Sequence, residues 1–257
     1  MRLAILQMQA KAGDVAANLA RIERAVEDAA AQGADLLVAP ELAVQGYGAG
    51  EAMTKLAEPA NGPAARRLAA LSARLGIALI VGFAERDGGT VWNSALYVDG
   101  NRAPGTYRKA HLYGPYERGL FAPALPTATV FEHRGVKTGM LICYDVEFPE
   151  TVRRLAQAGA ALVIVPTALP VSDHSELIAR KMIPVRAFEN QVFVAYANHC
   201  GGDGLFSFAG LSVIAAPDGS LLAEAGGDGE ALLIADIDPA DFAASAEANT
   251  YLRDLRV

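Results

Sequence analysis

Two rhythms of apolar residues run along this chain, one of period two and one of period 3.6. Residues 3–8 read as a first strand. Residues 14–31 carry Val15, Leu19, Ile22, Val26 and Ala29 at helical spacing behind a candidate N-cap, Asp14, and Gly33 ends the pattern. Residues 35–39, DLLVA, are nearly all apolar, as expected of a short strand buried on both faces. A helix is expected over 63–75, with Gly76 as its cap. Strands 77–83 and 91–98 follow, joined by a turn at 86–89. Further strands are expected at 129–133, 136–142, 161–165 and 191–198, with helices over 150–158 and over 175–188, the latter interrupted near Pro184. Three short strands (211–215, 221–223, 231–237) and a short helix complete the pattern. Residues 45–62 and 110–126 read as loops, and the first is long enough to suspect function.

Strands that alternate with helices define an α/β protein. No Pro/Gly/Ser-rich linker divides the chain, so one domain over 1–257 is expected. There is an internal echo. Residues 33–40, GADLLVAP, and 159–166, GAALVIVP, share one layout of glycine, apolar strand and terminal proline. Sites in open α/β sheets form outside the carboxyl ends of strands. The echo therefore places Glu41 and Thr167 at equivalent strand ends, facing one another.

Composition narrows the function classes. The net charge of −7 and the lack of any long basic run disfavour nucleic-acid binding. Two cysteines, Cys143 and Cys200, have no metal-type spacing and form no disulfide framework. The first residues turn polar at once, unlike a signal peptide, and no apolar run is long enough for a membrane span. A cytoplasmic protein with no membrane partner is the expectation.

Candidate chemistry centres on residues 137–150, KTGMLICYDVEFPE. They read as a buried strand, a sharp turn carrying Cys143, and a helix start at Pro149-Glu150. A thiol there would sit in the positive field of a helix N-terminus, which favours thiolate, with free N–H groups beside it for an oxyanion. Taken alone, the stretch fits an inert buried thiol better than a reactive one. Glu41 follows a buried strand and a proline, where a carboxylate is costly without a role or a partner. Lys109 lies in TYRKAHLYGPYERGLF. Together the three meet the needs of attack on an amide or nitrile carbon, namely a nucleophile, a base and a cation for the oxyanion. The N–H of Tyr144 is the candidate second oxyanion donor.

PELxxxGY around Glu41, YRKxHLYGPYE around Lys109 and GxLICYDxxFPE around Cys143 resemble the nitrilase superfamily of carbon–nitrogen hydrolases. RAxENQxFVxxxN (186–198), APDG (216–219) and YLRD (251–254) extend the resemblance over nearly the whole chain. It implies a four-layer α-β-β-α sandwich with two mixed sheets back to back. It also implies Glu41 as general base, Lys109 as oxyanion-binding lysine, Cys143 as the nucleophile that forms a thioester, and Glu117 as a second glutamate that orients the substrate or the lysine. No cofactor or metal is implied. A homodimer or higher homo-oligomer is, built through an outer helical layer for which 150–157 and 175–188 are the candidates. Family nitrilases typically carry Cys-Trp-Glu at the nucleophile. Cys143-Tyr144-Asp145 favours an amide substrate, with N-carbamoyl compounds and nitriles as alternatives. Pocket walls are expected from Tyr113, Tyr116, Tyr144, Thr167, Ala168 and Phe206, which suit a compact small-molecule amide.

Other chemistries remain to be weighed. A Cys–His hydrolase could use His111, His133, His174 or His199. No G-x-S-x-G elbow supports a serine hydrolase, and the four histidines lack zinc-ligand spacing. A non-catalytic binding protein on the same fold would have no need of Glu41, Lys109 and Cys143 together.

Overall fold

A computed structural model describes residues 1–100 and 102–256. The chain runs β1 (Arg2–Gln7), α1 (Val15–Ala31), β2 (Leu36–Val38), α2 (Ala52–Leu56), α3 (Pro63–Leu75), β3 (Ala78–Asp87), β4 (Thr90–Val98), β5 (Gly105–Arg108) and α4 (Gly114–Leu120). It continues with β6 (Val130–His133), β7 (Val136–Met140), a 3-10 turn at Cys143–Glu147, α5 (Pro149–Gln157), β8 (Leu162–Thr167), α6 (Ser175–Leu177) and α7 (Ile183–Asn190). Last come β9 (Phe193–Asn198), β10 (Cys200–Gly202), β11 (Ser207–Ala209), β12 (Val213–Ala215), β13 (Leu221–Glu224), β14 (Ala231–Asp236), α8 (Ala243–Ala248) and α9 (Tyr251–Asp254).

Two six-stranded mixed sheets result, in the orders β14-β1-β2-β3-β4-β5 and β13-β12-β9-β8-β7-β6. Each has a parallel centre, β1-β2-β3 and β7-β8-β9, flanked by antiparallel strands. Period two explains the layering. Leu3, Ile5, Leu36, Val38, Ala78 and Ile80 face the second sheet and join its core, which holds Val163, Val165, Val194 and Tyr196. The alternate residues Ala4, Leu6, Leu37, Leu79 and Val81 face the other way and pack on Leu19, Ile22 and Val26 of α1 and Leu68 and Leu71 of α3. Outside the second sheet, Val152 and Leu155 of α5 and Ile183 and Ala187 of α7 cover it. The architecture is therefore the α-β-β-α sandwich. Among the described residues, no helix is long and apolar enough to cross a membrane.

Three expected elements differ in detail. The 45–62 segment contains a 3-10 turn at Tyr47–Ala49 and the helix α2, and the 110–126 segment contains α4. The helix expected over 175–188 is not broken at Pro184. A π-helical stretch at Ile178–Met182 joins α6 to α7, and Pro184 lies just past it, where the regular i→i−4 ladder is already displaced.

The parallel strands bring their carboxyl ends to one edge of the sandwich. β5 runs antiparallel to β4, which runs antiparallel to β3, so Lys109 leaves β5 at that same edge. The echoed segments do meet there, with Glu41 N–H lying 3.4 Å from Thr167 O. Gly82 secures the turn that carries Glu41. Its N–H donates to Pro40 O (3.1 Å), and its carbonyl accepts from Val44 N–H (3.2 Å). A Cβ at this position would strike Pro40 O, Leu42 N and Glu41 Cα, all backbone atoms that cannot swing aside. Gly82→Ala is thus expected to displace Glu41 and lower kcat about a hundredfold, the scale of an ångström-size misplacement. Steady-state kinetics alongside a thermal melt check this, and near-wild-type kcat would show that the close approach does not position Glu41.

Candidate active site

Four charged or ionisable groups converge where the two sheets present those strand ends. Lys109 is 1% exposed, and Glu41 and Glu117 are fully buried. Lys109 Nζ donates to Glu41 Oε1 at 2.6 Å and to Glu117 Oε1 at 2.7 Å. Asn93 Nδ2 donates a second bond to Glu41 Oε1, at 2.7 Å. Glu41 Oε2 has no hydrogen-bond partner among the described residues, which leaves one carboxylate oxygen free to receive a proton. Glu117 is fully engaged: Tyr47 Oη donates to its Oε1 (2.8 Å), and Tyr113 N–H to its Oε2 (2.8 Å). The imidazole of His199 bears on the Glu41 backbone, with Nε2 2.7 Å from Glu41 O and Nδ1 3.2 Å from Met8 O.

Cys143 opens the 3-10 turn with φ at 45°, a left-handed backbone that a residue with a Cβ adopts only under constraint. That conformation ends the β7 run abruptly and leaves the thiol on a cavity wall. Asp145 holds the turn in place. Its Oδ2 accepts from Ile142 N–H (3.1 Å) and Tyr107 Oη (2.9 Å). Its Oδ1 accepts from His111 N–H (2.9 Å) and lies 2.8 Å from His111 Nδ1. This one buried carboxylate ties the segment carrying Lys109 to the segment carrying Cys143.

The electrostatics depart from the helix-field expectation. Burial pushes the Cys143 thiol well above its ordinary value, and Glu41 and Glu117 add to the rise. Lys109 and a hydrogen bond from the Ala168 backbone oppose it. The element after Cys143 is a five-residue 3-10 turn, and the longer helix starts only at Pro149, so the opposing positive field comes chiefly from Lys109. The resting thiol is protonated and needs a base. Burial also raises Glu41, and Lys109 draws it back. The result is a carboxyl pushed up to about 7, suited to exchanging protons near neutrality. Burial pulls the Lys109 ammonium down, but its two carboxylate neighbours outweigh this and hold it charged.

The cavity at Cys143 measures about 260 Å³. Tyr113, Tyr144 and Ala168 line it as expected, and Tyr47, Glu147, Leu169, Pro170, Ser172, His174 and Ile178 complete its wall with Glu117. Tyr116 and Phe206 line an adjoining apolar recess of about 220 Å³, with Tyr47, Tyr113 and Phe208. Thr167 lies behind the wall, fully buried, its hydroxyl donating to Val165 O at 3.0 Å. Nothing local marks Asn93 or His199 as a partner of Glu41: Asn93 sits in a strand that reads as packing, and His199, just past β9, reads only as one of four candidate histidines for the thiol. Tyr47 stands in the PELxxxGY motif, yet nothing local marks its bond to Glu117. No histidine ring hydrogen-bonds Cys143 among the described residues: His111 is held by Asp145, His133 by Tyr97 and Asp35, and His199 by two backbone carbonyls. No three His, Cys, Asp or Glu side chains gather as metal ligands among those residues either.

A buried Glu–Lys–Glu cluster beside a strained cysteine, on two back-to-back mixed sheets, defines the class. The family model for carbon–nitrogen hydrolases matches residues 2–247, and the chain belongs to that family. It is an enzyme of the nitrilase superfamily. A hydrolase from Pseudomonas protegens is 44% identical over all of this chain and 89% of its own length. An (R)-stereoselective amidase from a Pseudomonas species is 38% identical, covering 100% of this chain and 92% of its own. The crystal structure of an amidase from a Nesterenkonia species superposes with a TM-score of 0.88 at 36% identity, covering 100% of this chain and 93% of that one. A cysteine-to-alanine mutant of that amidase has been solved with butyramide bound, and a glutamate-to-glutamine mutant with the acetamide moiety of fluoroacetamide covalently attached at the active-site cysteine.

Proposed function

We propose that this enzyme hydrolyses a small primary carboxamide to the acid and ammonia through a thioester on Cys143. The observation that carries the reading is the fully buried contact of Lys109 with both Glu41 and Glu117, next to a thiol that faces a small cavity. In the first half-reaction Cys143 Sγ attacks the amide carbon as its proton passes to Glu41. The oxyanion is met by Lys109 Nζ and by the N–H of Tyr144, which as the second residue of a short turn has no partner within it. Glu41 then gives the proton to the leaving nitrogen, and ammonia departs. In the second half-reaction water attacks the thioester and Glu41 takes a proton from it. The collapsing intermediate releases the acid, and the proton returns to the thiolate. Glu117, bonded to Lys109, Tyr47 and Tyr113, fixes the ammonium in place. The acetamide moiety of fluoroacetamide, attached covalently at the active-site cysteine of the Nesterenkonia relative, supports a nucleophilic thiol at this position.

Ammonia release across a panel of amides, N-carbamoyl compounds and nitriles tests the assignment. The expected outcome is turnover of short amides, with substrate protecting Cys143 from iodoacetamide; turnover of nitriles or carbamoyl compounds alone would overturn it. The pH dependence follows from Glu41. Below its pKa the carboxyl is protonated and cannot accept from the thiol. kcat/KM is therefore expected to fall as pH drops through about 7, with a one-proton slope. A profile flat from about pH 5 to about pH 9 would count against a carboxyl base.

A further inference from the structure

The mechanism leaves one charged group in the cavity unused. Glu147 closes the 3-10 turn that Cys143 opens, about 8 Å further along it at the usual rise of about 2 Å per residue. It lines the same cavity as the thiol and is half-buried. Among the described residues its carboxylate makes no hydrogen bond and no ion pair; only its backbone carbonyl is engaged, by Arg186 Nη2 at 2.7 Å. Arg186 is spent elsewhere, on Val146 O, Glu147 O and the Glu189 carboxylate. Glu117, the other carboxylate on the wall, is satisfied by Lys109, Tyr47 and Tyr113. No lysine or arginine lines the cavity, and His174 is its one basic residue.

A half-buried carboxylate with no protein partner is costly unless something else meets it. Burial raises the Glu147 carboxyl, while the fields of Lys109 and Arg186 draw it down. Tyr47, Tyr113 and Tyr144 line the same cavity, and aromatic rings favour a cation over an anion. The wall thus has no fixed cation for a substrate carboxylate and a free anion for a substrate ammonium. Resting on the amidase reading above, we infer that Glu147 is a specificity-determining residue that selects short amides bearing a protonated amine at the end away from the carbonyl. The carbonyl end lies at Cys143 and Lys109, and the ammonium lies against Glu147.

The test is a matched series: glycinamide, β-alaninamide and 4-aminobutanamide against their neutral isosteres propanamide, butanamide and pentanamide, with succinamate as the anionic counterpart. In at least one pair the amine-bearing amide is expected to show kcat/KM higher by about tenfold or more, the worth of a hydrogen bond to a charged group in a half-buried site. Succinamate is expected to be the poorest substrate. Glu147→Gln is expected to collapse the ratio within the preferred pair toward one; a general loss of activity cancels in that ratio. Equal use of both members of every pair, or a ratio that survives Glu147→Gln, overturns the inference and leaves the amidase reading standing. If no amide is turned over, the amidase reading fails instead. The charge preference is then read from the affinities of the same pairs for the Cys143→Ala protein by calorimetry, where equal affinities overturn it.

Discussion

Cys143→Ala is expected to abolish ammonia release, a drop on the order of 10⁴-fold or more, while the protein keeps its fold and still binds amide. The reasoning separates chemistry from architecture. Every bond that the Asp145 carboxylate makes goes to Ile142, His111 or Tyr107, and none goes to the thiol. Alanine meets the same penalty as cysteine at a φ of 45°, so the strained turn is neither relieved nor worsened. What disappears is the only atom that can form the acyl bond. Lys109 and Glu41 remain to polarise and to move protons, but without a thioester there is no covalent route. Circular dichroism and a thermal melt within a few degrees of wild type, with calorimetric amide binding intact, would complete the expected picture. Retention of more than about a tenth of the activity would sink the thioester mechanism and point to direct attack of water from Glu41.

The sequence and the structure agree best where a residue's role follows from its neighbours in the chain. The run Leu36–Val38 reads as buried on both faces because it has no polar alternation, and β2 indeed lies between β1 and β3 with a packed layer on each side. The echo of 33–40 and 159–166 reads as two equivalent strand ends because glycine and proline punctuate both, and Glu41 and Thr167 do meet. Reading fails where the decisive partner is distant. Residues 110–126 read as a loop, yet Pro115 in the first turn of α4 is where a helix tolerates proline, and that helix carries Glu117. Gly82 inside an apolar strand is a visible signal of close backbone approach, but only the fold shows that the approaching backbone is that of Glu41. In the sequence the thiol's field reads as that of a helix terminus, because Pro149-Glu150 is a legible helix start. The structure inserts a 3-10 turn first, and Lys109, thirty-four positions upstream, supplies the opposing charge.

Removing that lysine is the second large perturbation, and it acts on stability and rate together. In Lys109→Ala the oxyanion loses its charged donor, and kcat is expected to fall by about a hundredfold or more. Two fully buried carboxylates, Glu41 and Glu117, also lose their shared cation. Breaking such a pair from one side costs about 3–5 kcal/mol, because the partner charge stays buried without compensation. The pH dependence of that cost has a definite sign. Glu41 already has a folded-state pKa raised to about 7 with Lys109 present, and removing the cation raises it further. A carboxyl whose folded pKa lies above its unfolded value binds more protons in the folded state, so stability is lost as pH rises through that window. The destabilisation should therefore be smaller near pH 5 than near pH 8, since acid neutralises the exposed repulsion. Urea titrations at the two pH values, paired with kcat, read both arms. A variant that loses rate but is equally stable at both would mean that Glu41 and Glu117 do not depend on Lys109 for their burial, and that the cluster is held by Asn93, Tyr47 and the Tyr113 backbone instead.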